Sequence, residues 1–236
     1  MTLILFQTIV QCISSTLQWL GLYFGIRAWA GEGSRKWPWI VGTAIVCATW
    51  LIAIVLLASK NFFRNDVLPP RIPTTMAVTL ICGYLLLFSK SFRGIIAAIP
   101  QHWLIGIQTF RLLGGILLVR YFQGELPALF AFPAGIGDVL TGAFAPLVAY
   151  WWYSGKSYAR AASIAWNLFG MADLINAVTL GALFGGAGIV FPTVMIPIYG
   201  VPRGFLIHSY SLIGLVRKTS RKPQPEAGLQ YGVDAV

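Results

Sequence analysis

The sequence predicts an all-α polytopic membrane protein, a bundle of seven transmembrane helices, and three observations carry that prediction. Hydrophobic residues make up 57% of the 236 and charged residues only 10%, the composition of a chain dissolved in lipid. Apolar runs of roughly 20 residues, the length that crosses a bilayer core, recur seven times and leave no room for a soluble domain. Lys and Arg gather in the short connections between those runs, as orientation signals do.

The spans fall at 3–27, 38–58, 73–89, 102–121, 128–152, 161–184 and 189–216. The first has no basic leader region and no A-x-A cleavage site, so it reads as a retained helix. It carries Gln7, Gln11 and Gln18, which fall within about 40° of one another at helical spacing, beside Ser14 and Ser15. Such a stripe supplies interhelical hydrogen bonds in a medium without water, or lines a polar path. The second and third spans carry no charge in their interiors. After them, 90–100 is basic at one end and closed by Pro100, the pattern of a segment lying in the interface.

The fourth span holds Gln108 and Arg111, three apart, followed by Gly114 and Gly115. In the fifth, Asp138 follows Pro133, Gly135 and Gly137, which predicts a locally unwound helix whose backbone groups add to a site. The sixth carries Asn167, Gly170, Asp173 and Asn176 at spacings of three, a slanted polar ridge that faces protein. Pro192, Pro197 and Pro202 each remove a backbone donor and predict an interrupted last helix, which brings in Tyr199, Arg203 and His208. Residues 1–218 thus form the transmembrane domain, and the polar, proline-containing 219–236 a flexible cytoplasmic tail.

The net charge of +10 would point to nucleic acid in a soluble protein. Here eleven Lys and Arg fall on the side of Arg27, Lys36, Arg93, Lys156 and Lys222, and four on the other, at Lys60, Arg64, Arg71 and Arg120. The positive-inside rule then sets the N-terminus outside and the C-terminus in the cytoplasm, and no nucleic-acid partner is expected. Cys12, Cys47 and Cys82 stand singly in apolar runs without metal-ligand spacing, and no metal site is expected.

Arg111, Asp138, Asp173 and Arg203 are the charges left inside apolar spans, two acids against two bases. A charge at bilayer depth costs from a few to about 10 kcal/mol or more, so four of them mark where the business of the chain lies. Arg111 with Asp138 and Arg203 with Asp173 is the simplest pairing, with the crossed one left open. Gln108, Asn167, Asn176, Tyr199 and His208 complete the candidate substrate-binding set. A purely structural ion-pair network is the competing reading.

The sequence contains no H-E-x-x-H, no G-x-S-x-G and no Walker A loop. No catalytic residue is assigned and the chain reads as a non-enzyme. No cofactor is expected. Bis-histidine haem would need both His102 and His208, which the spans set at unequal depth.

The stretch Gly124 to Pro146, GELPALFAFPAGIGDVLTGAFAP, resembles a segment of small bacterial multi-pass membrane proteins with an LPxxFAxPAGxGDxxxG pattern. The likeness extends loosely from His102 to Arg217. It implies a bacterial inner-membrane setting and carries no activity, substrate or site with it.

The expected function is therefore that of an inner-membrane protein that binds or moves a small solute or protons through a midplane polar site of helices four to seven. The alternative is a membrane subunit or redox protein that uses the polar layer for haem, quinone or partner helices. The lipid bilayer is the sure partner, and homo-oligomer or partner subunit stays open.

Overall fold

A computed structural model describes residues 3–29, 36–63, 71–184 and 191–217, and every regular element among them is helical. The tail 219–236, the loop residues Arg35 and Arg64, Lys218, Lys222 and the side chain of Gln7 lie outside the described residues. Helices α1 (Leu3–Ala28), α2 (Lys36–Ser59) and α3 (Arg71–Leu85, extended by a 3₁₀ turn to Phe88) come first. The nine-residue α4 (Lys90–Ala98) follows, its N-terminus capped by Ser89 Oγ, which accepts from the Phe92 amide at 3.3 Å. It occupies the stretch that the sequence sets aside as an interface segment.

Next come α5 (Gln101–Gly106), a 3₁₀ helix over Ile107–Gly114 and α6 (Gly115–Phe122), stacked as one rod that forms the fourth span. Then α7 (Ala128–Tyr153) and α8 (Ala159–Phe184) run 26 residues each. The chain resumes with a turn at Phe191–Val194, a five-residue π-helix at Ile196–Gly200 and α9 (Val201–Arg217). Six of these rods are long and apolar enough to cross a membrane: Ile9–Ala28, Lys36–Ser59, Arg71–Phe88, Gln101–Phe122, Ala128–Tyr153 and Ala159–Phe184.

The outer surface agrees with that reading. Of the 24 residues of α2, only Ile40, Ile54 and Ala58 are buried, while Val46, Ile45 and Ile52 stand in the open. An apolar surface of that extent is stable only against lipid or protein. Inside, α7 is the central helix, packed on the fourth span and on α8. Helix α9 lies on α8, α3 and α5, and α1 lies on α2, α4 and the 3₁₀ segment.

The unwinding expected in the fifth span is absent. Helix α7 runs through Pro133 and Pro146 without a break. Each proline costs it one backbone hydrogen bond, and both rings are exposed on the outer face, clear of the neighbouring helices. Its glycines serve packing instead. A Cβ at Gly135 would meet Leu118 and the Gly114 carbonyl, one at Gly137 would collide with the Asp173 carboxyl, and one at Gly142 would press on the backbone of Arg111 and Leu112. Irregular winding lies instead at Ile107–Gly114 in the fourth span, eight residues of 3₁₀ helix where runs beyond three or four are uncommon, besides the π-helix before α9.

Candidate functional site

A 3₁₀ helix has three residues per turn, so residues i and i+3 eclipse one another. Gln108, Arg111 and Gly114 therefore share one face of the fourth span, and all three are buried against α7, α8 and α9. An α-helix would turn each of them about 60° away from the last. The tight winding is what points Gln108 and Arg111 together into the bundle.

Arg111, 3% exposed, is the hub. Its Nε donates to Asp138 Oδ1 at 2.6 Å and its Nη2 lies 2.6 Å from the same oxygen. The same Nη2 donates to Asp173 Oδ2. Nη1 donates to the Gly170 carbonyl at 2.9 Å and lies 3.2 Å from His208 Nε2. Every guanidinium nitrogen is used, and one base serves both acids. Space for this is made by glycine: a Cβ at Gly114 would strike the Asp138 carboxyl, and one at Gly170 would strike the His208 ring, with Arg111 Nη1 at 3.0 Å.

The hydrogen bonds fix the state of His208. Arginine only donates, so Nε2 accepts and the proton sits on Nδ1, which donates to Asn167 Oδ1 at 2.9 Å. Asn167 Nδ2 then donates to the Ser163 carbonyl at 2.8 Å and to Ser211 Oγ at 2.9 Å. Gln101 Nε2 donates to the same Ser211 Oγ at 2.6 Å. A chain of contacts thus runs from the ion cluster through His208, Asn167 and Ser211 to the start of the fourth span. Trp166 packs on the imidazole at 4.9 Å between ring centres and anchors its own Nε1 on the Thr141 carbonyl at 3.1 Å. Both ring nitrogens of His208 are engaged, and haem ligation would have to break one of these bonds.

The expected Arg111–Asp138 pair is present, but Arg111 also takes the acid expected for Arg203, so each of the two pairings is met only by half. Arg203 makes no contact with Asp173 or Asp138; it is half-buried in the first turn of α9, sandwiched between the rings of Phe110 at 4.4 Å and Tyr199 at 4.5 Å. Cation–π attraction and two hydroxyl partners on α1 replace the expected acid. Arg203 Nη1 donates to Ser15 Oγ at 3.1 Å and Nη2 to Ser14 Oγ at 3.2 Å, while its buried Nε has no partner. Tyr199 accordingly belongs with Arg203 and not with the cluster. Gln108 clamps the fourth span to α9, Nε2 donating to the Gly204 carbonyl at 2.9 Å, and leaves its buried Oε1 without a partner.

Asn176 also falls outside. Each step of three along an α-helix falls about 60° short of a full turn, so the fourth member of the ridge lies on the opposite face from Asn167. Asn167, Gly170 and Asp173 are buried and Asn176 is exposed. Of the nine residues expected at the site, Arg111, Asp138, Asp173, Asn167 and His208 form one connected cluster. The sequence reading missed Gln101, Ser163, Ser211 and Trp166 in this network. Ser211 and His208 are three apart in α9, as are Ser163 and Trp166 in α8, and that spacing is the signal that could have found them.

A small cavity adjoins the cluster, about 20 Å³ in volume, with Arg111, Asp138, Gln11, Leu174, Ile196 and Gly200 among its walls. Comparison with curated proteins and with solved structures gives no match. A family model described as a domain of unknown function (DUF8737) matches residues 71–216. That stretch contains the whole cluster and leaves out α1 and α2. The match spans more than half of the chain, which therefore belongs to the DUF8737 family.

Proposed function

We propose that this chain is a proton-handling protein of the bacterial inner membrane, with seven spans, the N-terminus outside and the C-terminus inside, and the Arg111–Asp138–Asp173 cluster as its working site. The seventh span is the segment ending in α9, whose C-terminal Arg217 joins the basic side of the membrane. The observation that carries the reading is the charge balance: two buried carboxylates meet one guanidinium, and the cluster is left one positive charge short. A surplus charge in a low-dielectric interior costs several kcal/mol, so the site has a standing demand for a proton or a small cation. The adjoining cavity has room for about one water. That volume favours the proton over a larger solute. Asp138 and Asp173 are the groups that take it, Arg111 holds them together, and His208 and Asn167 hold Arg111 in place.

Two measurements test this. A membrane-permeant carbodiimide reacts with protonated buried carboxyls, so intact-mass analysis of the protein in lipid should find an adduct on Asp138 or Asp173. Proteoliposomes under an imposed pH gradient should take up protons faster with the wild-type chain than with Asp173→Asn, which keeps Asp138 on Arg111 and so folds. Equal uptake by two folded proteins, or no adduct on either aspartate, refutes the proposal.

A further inference from the structure

The cavity beside the cluster is walled on one side by α1. Gln11 of α1 is 8% exposed and lines it, and the side-chain Nε2 of Gln11 has no hydrogen-bond partner. A buried amide left unpaired costs about 1–3 kcal/mol, so native structures leave few without an occupant at hand. Asp138, whose carboxylate accepts, lines the same cavity. A water needs about one probe sphere of room and two to four polar partners. The volume of about 20 Å³ supplies the room, and Gln11 as donor and Asp138 as acceptor supply the partners, since the five N–H groups of Arg111 are already engaged.

We infer that this cavity is a single-water site completed by α1, in which Gln11 Nε2 donates to a water that in turn donates to the Asp138 carboxylate. Gln11 is thus a positioning residue for the cluster. The rest of the cluster lies within residues 71–216, the stretch matched by the family, whereas Gln11 lies outside it. The first helix is therefore part of the site and not only of the lipid-facing wall. The inference rests on geometry alone and stands whether or not the cluster moves protons. On another flank His208 meets Arg111 directly and is itself held by Asn167.

Radiolytic footprinting of the full chain in lipid tests it. A short X-ray pulse makes hydroxyl radicals from water, and these oxidise side chains in contact with it. Leu174 and Val201 line the cavity and are buried from both lipid and solvent, whereas Ile54 is also buried and is not among the cavity's walls. Wild-type protein should show oxidation of Leu174 and Val201 above the Ile54 level, and Gln11→Leu should bring them down to it. Gln11→Met, unbranched and of similar length, serves if the leucine variant does not fold. Wild-type labelling of Leu174 and Val201 no higher than that of Ile54 overturns the site, and labelling unchanged in a folded Gln11 variant overturns the role of α1.

Discussion

Removing Arg111 and removing Asp138 should have very different costs, because one arginine serves two acids. Asp138→Asn keeps an acceptor oxygen against Arg111 Nε, keeps the Asp173 contact and turns a cluster of net charge −1 into a neutral pair. The loss is that of a charge-assisted bond weakened to a neutral one, offset by relief of repulsion between the carboxylates, about 1 kcal/mol. Arg111→Gln instead strands two buried carboxylates at once. Breaking a buried pair by deleting one partner costs about 3–5 kcal/mol, and two acids sharing one base put this variant at the upper end or beyond. Adding Asp138→Asn to Arg111→Gln still strands Asp173, so recovery should be partial. The triple variant with Asp173→Asn leaves only neutral groups and should recover most of the loss. Unfolding by a denaturing detergent reads this directly. Nine tryptophans supply the signal, and Trp166, packed at a tilt against His208, reports the cluster itself. Arg111→Gln costing no more than Asp138→Asn, or strict additivity across the series, would refute the shared-arginine geometry.

Gly170→Ala places a methyl against the His208 ring and Arg111 Nη1, so about 1–3 kcal/mol of overpacking should appear as a lower melting temperature. Gly21→Ala, where nothing lies within 4 Å, should be neutral or stabilising, and a large loss there would break the packing argument. Asn176 is exposed, so Asn176→Ala should stay within about 0.5 kcal/mol of wild type, whereas Asn167→Ala, which unties His208 and Ser211, should not. Reporters fused after Lys36, Arg93, Lys156 and Lys222 should all read cytoplasmic, and a periplasmic signal at Lys222 would overturn the seven-span orientation.

The sequence by itself determined that the chain is helical, where its apolar rods run and which charges are trapped within them. These are local properties: about 20 apolar residues make a span whatever surrounds them, and an arginine in the middle of one must be satisfied somewhere. It did not determine with whom. Whether Arg111 meets one acid or two depends on how α7 and α8 are rotated about their axes and shifted along them, and that is set by Gly114, Gly137, Gly142 and Gly170 letting helices touch. Arg203 lost its expected acid because α9 enters with that side chain turned toward Phe110, Tyr199 and the hydroxyls of α1. The change of winding at Ile107–Gly114 was also beyond local reading. Small differences separate 3₁₀ from α geometry, and there the contacts of Gln108 and Arg111 with α7, α8 and α9 decide it. Proline gave the opposite error in α7, where its missing donors fall on the outer face and the helix simply continues.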